Sequence, residues 1–429
     1  MDQPHEVLER EDGYYEQDKD WGNARATIAE LLSAGFESGN GEIPYDLRAD
    51  VWDVLSLLTN DPDPTPEHEE RYGGSNMNPL TLSINTTRGE AMHAVVRYAL
   101  WVNRHTKEAT ESEAQVACSF DEMPEVQAIL DHHLDPANDP SLAIRAVYGQ
   151  WLPWLITLDS RWVDQSLTKV FPAEENLRTL RDAAWDTYII YNEPYNNIFQ
   201  VLHEEYRHAI NRIGGEPLQA SREPEKPDDR LADHLMIFYG RGILNLEEDG
   251  VIAQFYTKAY DKLCAHALWF VGQTLGEEVP PDVLERFQAL WQRRLDAANH
   301  ATSPASHIAE MTAFGWLFSS RKFNETWAIT QLKNALEISG WAEPDHQVIE
   351  YLATLAPAYL ALAVDCLSIM VEGDKEGWGI RYWSTHARTI LALALSNPNV
   401  EIQQSAEALI HQLGARGYFE FRDLLQVRN

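Results

Sequence analysis

The sequence predicts an all-α protein built of stacked helix pairs, and three observations carry the prediction. Apolar residues recur at three- and four-residue spacing along most of the 429 residues. The breaks between such stretches are short and marked by Gly and Pro. No segment shows the period-two alternation of a half-buried strand. Helix pairs recur about every 40 residues, within the range of helix-pair arrays. No repeat signature is shared between them, so the expected architecture is an irregular, TPR-like superhelix, with two separate helical bundles as the alternative.

Residues 1–20 are charged with little apolar periodicity, and mobility is expected there. Ile28, Leu31 and Leu32 predict a helix over 21–33, stopped at Gly35. Leu47, Val51, Leu55 and Leu58 predict the next over 44–59, with Pro44 in its first turn. Asp61–Pro79 is rich in Pro, Gly and Asn and reads as a long loop. Ala91, Val95, Tyr98 and Val102 then place a stripe on a helix over 84–104. Further helices are expected over 123–133, 141–158, 174–191 and 194–213. The Pro- and charge-rich stretch 214–230 reads as a linker or long exposed loop, so the chain divides into a helical region 21–213 and a helical-repeat region 231–429. The second carries helices over 231–245, 251–275, 282–298, 304–319, 324–338, 346–371, 382–395, 400–413 and 418–426. Breaks fall at Gly250, Pro280-Pro281, Ser303-Pro304, Gly340 and Pro398.

The formal net charge is −33, from 34 basic and 67 acidic residues. Such a field repels phosphate backbones and anionic lipid and steers basic proteins inward. Neither nucleic acid nor membrane is expected as a primary partner. Cys118, Cys264 and Cys366 are isolated, which speaks against a disulfide framework or a Cys-rich zinc site and fits a reducing cytoplasm. The acidic, polar N-terminal stretch is unlike a signal peptide. Tyr351–Met370, broken by Pro357 and Asp365, reads as a buried helix rather than a membrane span.

His203 and His208 flank Glu204 and Glu205, but a zinc-protease helix needs its two His at i and i+4, and here they stand at i and i+5. Asp131-His132-His133-Leu134-Asp135 resembles metal-phosphoesterase patches without the sheet that supplies their other ligands. No GxxxxGK[ST], GxGxxG or GxSxG occurs. The reading is therefore a non-enzyme with no cofactor and no metal.

Two regions stand out instead. In Asn78–Ala91, Asn85 or Thr86 can cap the following helix, Thr87 and Glu90 can form a capping box, and Gly89 allows close backbone approach. Arg88 can reach back to carbonyls of the Asp61–Pro79 loop. The second region is aromatic: Phe314, Trp316, Phe318, Phe323 and Trp327 crowd a helix–turn–helix, and Trp341, Trp378 and Trp383 recur after it. Such residues build cores, and some line partner grooves. Asn85, Arg88, Trp316, Phe318 and Trp327 are the candidate partner-binding residues.

Asn78–Ala91 continuing through Met92-His93-Ala94-Val95-Val96-Arg97-Tyr98-Ala99-Leu100-Trp101, and Phe314–Phe318 continuing to Lys322-Phe323-Asn324-Glu325-Thr326-Trp327-Ala328, resemble segments of the C-terminal regions of Avs proteins. These are bacterial antiphage defence ATPases of the STAND class. The resemblance implies a helical-repeat sensor that binds a phage protein such as the large terminase subunit or the portal. The effector domain and P-loop of that family are not found in this chain, so ATP-driven assembly does not carry over. The function expected is protein recognition in antiviral defence. The alternatives are a helical scaffold that joins oligomers through the Trp-rich second half, or a metal-dependent hydrolase around Asp131, His132, His133, His203, Glu204 and His208.

Overall fold

The computed structural model describes residues 8–9, 15–16, 22–72, 77–109, 119–215, 226–248 and 250–426. Most of the N-terminal stretch expected to be mobile lies outside them, as do Cys118 and most of the 214–230 segment. Leu8–Glu9 pairs antiparallel with Tyr15–Glu16. Every other described regular element is helical, so the protein is all-α. The chain divides into two compact units, Met1–Arg230 and Leu231–Asn429.

The first unit carries α1 (Gly22–Gly35), α2 (Arg48–Thr59), α3 (Pro66–Tyr72), α4 (Pro79–Ser83), α5 (Thr87–Ala109), α6 (Pro124–Leu134), α7 (Leu142–Leu158), α8 (Ser160–Val170), α9 (Arg178–Tyr191), α10 (Asn196–Val201) and α11 (His203–Arg212). Helix α5 is central, with α1, α2 and α7 packed on it, and α7 in turn holds α4, α8 and α9. Their sequences suit this, because Ala91, Met92, Ala94, Val95, Val96, Tyr98, Ala99, Trp101 and Val102 are all buried, and a helix buried on most sides must be apolar on most sides. Gly149 lets α7 lie directly on α9, since a Cβ there would sit 2.0 Å from the Ala184 carbonyl oxygen. Arg145 is buried, and among the described residues no carboxylate pairs with it. Its guanidinium donates to the Leu134 carbonyl at 2.9 Å and to the Lys169 carbonyl, at the last turns of α6 and α8. A cation is stabilised at such termini because unpaired carbonyls and the helix dipole converge there.

Three stretches of this unit depart from the sequence expectation. The expected loop Asp61–Pro79 contains α3 and the start of α4. Asn78 accepts from Thr81 N at 2.7 Å and Pro79 takes the first helical position, so the Asn-Pro pair starts a helix. Helix α8 was not expected at all. It buries only Trp162, Val163, Ser166 and Val170 and is capped by Asp159, which accepts from Trp162 N at 3.0 Å. The expected helix over 194–213 is two, α10 and α11, parted at the fully buried Leu202.

The second unit carries α12 (Pro227–Gly240, whose first turn straddles the division), α13 (Val251–Lys258), α14 (Asp261–Thr274), α15 (Pro281–His300), α16 (Ile308–Ser319), α17 (Glu325–Ser339), α18 (Asp345–Gly373), α19 (Trp378–Leu395), α20 (Val400–Ala415) and α21 (Asp423–Gln426). From α16 onward the helices pack with next and next-but-one neighbours. The expected single helix over 251–275 is broken at Ala259, whose backbone is extended. The break turns Asp261 to accept the N–H groups of Ala309 and Glu310 at 2.8 and 2.9 Å, capping the start of α16. Helix α17 ends as expected at Gly340, which is left-handed at φ 71°. Helix α18 is long and apolar enough to cross a membrane. Here it buries Val348, Leu352, Leu355, Val364, Leu367 and Met370 in the unit's core and kinks at Tyr359, two residues after Pro357.

Candidate functional site

The Asn78–Ala91 segment is a structural knot. Arg88 donates to the carbonyls of Asp61 and Pro64, each at 2.8 Å, and pairs with Asp139 at 3.2 Å. It therefore ties the loop to the start of α7. The first N–H of α5 finds its acceptor far away in the sequence. Asp63, 24 residues away, accepts from Thr87 N at 3.1 Å, and its other oxygen pairs with His68 at 2.7 Å. The Asn85 amide and the Thr86 hydroxyl donate backward, to the Thr81 and Leu82 carbonyls at 2.6 and 3.0 Å. The capping box is not made: the Glu90 N–H that Thr87 would have to accept donates to the Thr86 carbonyl at 2.9 Å, and the Thr87 hydroxyl donates to the Gly22 carbonyl at 3.3 Å. Gly89 is the close approach expected: a Cβ would lie 2.0 Å from the Ser83 carbonyl oxygen. Of the two candidates here, Asn85 is exposed and Arg88 is committed to holding the fold.

A buried Ser83–His93 contact of 2.8 Å lies beneath this knot. It has the outline of a nucleophile and its base, but the bonding runs the wrong way. Trp151 Nε1–H donates to His93 Nδ1 at 2.8 Å, which leaves the proton on Nε2, facing the serine. Ser83 in turn donates to the Leu80 carbonyl at 2.7 Å. An imidazole that donates to a serine cannot take its proton. Burial, with the Arg97 charge, lowers the His93 pKa to about 3, so the ring stays neutral.

Glu90, one turn into α5, is raised to about 7 by burial and by the Glu30 carboxylate, against the pull of Arg97. The folded state therefore holds a proton on Glu90 between pH 4.5 and about 7 that the unfolded chain releases. The corresponding stability is full below pH 4.5 and lost as pH rises through 7. Glu90→Gln keeps the neutral form at every pH. We expect it to match the wild type near pH 4 and to exceed it by roughly 1–2 kcal/mol at pH 8, a figure reduced for the solvent that reaches the group. Urea unfolding at the two pH values checks this.

The residues of the hydrolase alternative do not converge. Asp131 accepts from Trp162 Nε1 at 2.9 Å, His133 pairs with Asp139 at 2.7 Å, and His203 pairs with its neighbour Glu204 at 3.1 Å. Among the described residues no three His, Cys, Asp or Glu side chains gather as a metal site. Cys264 and Cys366 are buried free thiols, and burial pushes both well above the ordinary thiol range.

The aromatic region of the second unit separates into core and surface. Phe314 packs on Trp291 with ring centroids 4.2 Å apart, and Phe318 packs on Tyr351 at 4.8 Å; both phenylalanines are buried. Phe318 is therefore a core residue, which corrects its candidacy for partner binding. Trp327 is half-buried and lies over Phe323 at 5.1 Å. Trp316 is different. It lines a groove of about 660 Å³ together with Trp341, Tyr382, Glu343, Asp345, Asp374, Lys375, Glu376 and the backbone of Gly373 and Gly379.

The groove is built by close backbone approaches. A Cβ on Gly272 would lie 2.7 Å from the Trp316 carbonyl carbon, and one on Gly315 would lie 2.3 Å from the Glu343 oxygen. A Cβ on Gly379 would meet Asp345 Oδ2 at 2.9 Å and the Trp341 ring at 3.0 Å. The loop at its edge is fixed as well. Asp374 accepts from Gly377 N and Ile380 N at 2.8 and 2.9 Å, Tyr418 donates to the Gly377 carbonyl at 2.6 Å, and Arg416 donates to the Val371 and Asp374 carbonyls. Asp345 is held by Trp383 Nε1 at 3.2 Å. Tyr382 is 73% exposed. Trp316 and Trp341 stand out in the sequence, whereas Tyr382 and the acids carry no local signal because they come from four separate elements.

No protein-family model matches the chain, and no curated protein matches it. One solved structure, an engineered protein of the Northeast Structural Genomics Consortium, aligns over 91% of this chain and 94% of its own at 11% identity, with a TM-score of 0.28. Similarity at that level carries no argument about fold or function.

Proposed function

We propose that this protein is a recognition module for another protein and that the groove of the second unit is its contact surface. One observation carries the reading: Trp316, Trp341 and the exposed Tyr382 line a concave, preorganised surface ringed by carboxylates. Trp and Tyr anchor protein interfaces because they bury large area at small entropic cost. The net charge of −33 favours encounter with a basic partner. The finer reading, a cytoplasmic sensor of a phage packaging or structural protein, rests on the resemblance of Asn78–Trp101 and Phe314–Ala328 to Avs C-terminal regions. Trp316 belongs both to that resemblance and to the groove. The stacking of α16–α20 suits an irregular, TPR-like array that presents such a face.

The test is a calorimetric titration of the full chain with purified phage large terminase subunits and portal proteins at low and moderate salt. Saturable binding to one of them that weakens several-fold as salt rises is expected. No saturable binding to any of them would overturn the phage assignment, and binding indifferent to salt would overturn the electrostatic part.

A further inference from the structure

We infer that the groove takes an arginine side chain presented on an extended basic segment of the partner. This rests on the recognition reading above and gives the partner's chemistry. Three features select the occupant. The first is charge. Glu343, Asp345, Asp374 and Glu376 line the groove against Lys375 alone. Asp374 is committed to the backbone N–H groups at the start of α19. Among the described residues, no basic side chain pairs with Glu343, Asp345 or Glu376. Elsewhere in this unit, carboxylates do find cations, as Glu310 finds Arg294 and Asp423 finds Arg388. The groove therefore offers three carboxylates that no cation among the described residues neutralises.

The second feature is the aromatic lining. A guanidinium is planar and weakly hydrated, so it gains from the face of Trp or Tyr while its N–H groups reach carboxylates in the same plane. The protein uses that combination internally, where Arg294 lies 4.3 Å from the Tyr256 ring centroid while bonded to Glu310. The third is shape. A volume of about 660 Å³ holds a side chain together with the backbone that carries it, and the hydrogen bonds to Gly377, Ile380 and Asp374 hold the edge loop before the ligand arrives. Binding then costs little ordering on this side.

The experiment uses the full chain and an end-capped peptide, Gly-Gly-Arg-Gly-Gly, beside the same peptide carrying citrulline, the neutral isostere of arginine. Tryptophan fluorescence and chemical-shift changes follow the titration. The arginine peptide is expected to bind saturably, and the citrulline peptide about tenfold more weakly or not at all. Tyr382→Ala, at a site 73% exposed and so harmless to the core, and Glu343→Gln are each expected to weaken the arginine peptide several-fold without changing the circular dichroism. Equal binding of the two peptides, or arginine binding unchanged in both variants, would overturn the inference. The two claims fail separately. A phage protein that binds Tyr382→Ala several-fold more weakly than the wild type, beside equal binding of the two peptides, sinks the arginine assignment and leaves the groove as the recognition surface. Peptide binding with no phage protein bound keeps the groove and removes the phage assignment.

Discussion

Glu310→Gln is expected to destabilise the second unit by about 3–5 kcal/mol. Glu310 is fully buried and accepts from Arg294 at 2.6 and 2.8 Å, with His307 at 3.1 Å. Burial pushes its carboxyl upward, but the hydrogen bonds and charges of Arg294 and His307 more than offset this and hold it below the usual carboxylate range. Glutamine preserves the shape and removes the charge, so a guanidinium buried beside the Tyr256 ring keeps an amide acceptor but loses its counter-charge. The cost is that of an uncompensated buried cation rather than of a lost contact. Two controls separate these. The double variant Arg294→Met with Glu310→Met removes both charges and is expected to be less destabilised than Glu310→Gln. The pair's contribution is also lost as pH falls through the depressed pKa of Glu310, because only the ionised carboxylate satisfies Arg294. Urea unfolding of the three proteins at neutral pH reads the order.

Gly89→Ala is the second large effect, and its sign opposes helix propensity. Alanine is favoured over glycine inside a helix by about 1 kcal/mol. Yet the added methyl would sit 2.0 Å from the Ser83 carbonyl oxygen and 2.6 Å from the Ser83 carbonyl carbon and Cα. Backbone cannot yield as a flexible side chain does, so α4 and α5 must separate. The knot of Arg88, Asp63 and Asp139 is anchored on that junction. A net loss of about 3 kcal/mol is expected. Gly276→Ala, where a Cβ meets nothing within 4 Å, is expected to change stability by no more than about 0.5 kcal/mol. Unfolding midpoints of the two variants decide the matter.

What the sequence showed followed the range over which each signal acts. Long amphipathic helices announce themselves by local spacing, and α5, α7, α17 and α20 lie close to where periodicity places them. Gly340 and Gly89 were legible because a turn or a close approach demands glycine locally. The reach of Arg88 to the Asp61–Pro79 loop was legible because a long cation beside a carbonyl-rich loop has few other uses. The cap of α5 was not: Asp63 arrives from 24 residues upstream, and Asn85 and Thr86 are equally good local candidates. Helix α8 hid because only Asp159 separates it from α7, with no Gly or Pro to mark the break. Helix α3 hid in a Pro- and Gly-rich stretch whose helical turns are short. Of the five candidate partner residues, Trp316 reached the groove while Phe318 went into the core, and spacing within one helix cannot tell which aromatic faces a neighbour. The groove needs Trp316, the segment from Trp341 to Asp345, the Gly373–Glu376 turn and Tyr382 together. No short window of sequence contains that set.

The central claim is that this protein recognises another protein through the groove at Trp316, Trp341 and Tyr382. It is tested most directly by comparing the wild type with Tyr382→Ala as each is titrated with the same purified phage large terminase subunit and portal protein, at one ionic strength. The account predicts saturable binding of one of them to the wild type and about tenfold weaker binding to the variant, since truncating a central aromatic anchor costs about 1–2 kcal/mol. Equal affinity in the two proteins would contradict it, and no saturable binding by either phage protein would remove the phage assignment.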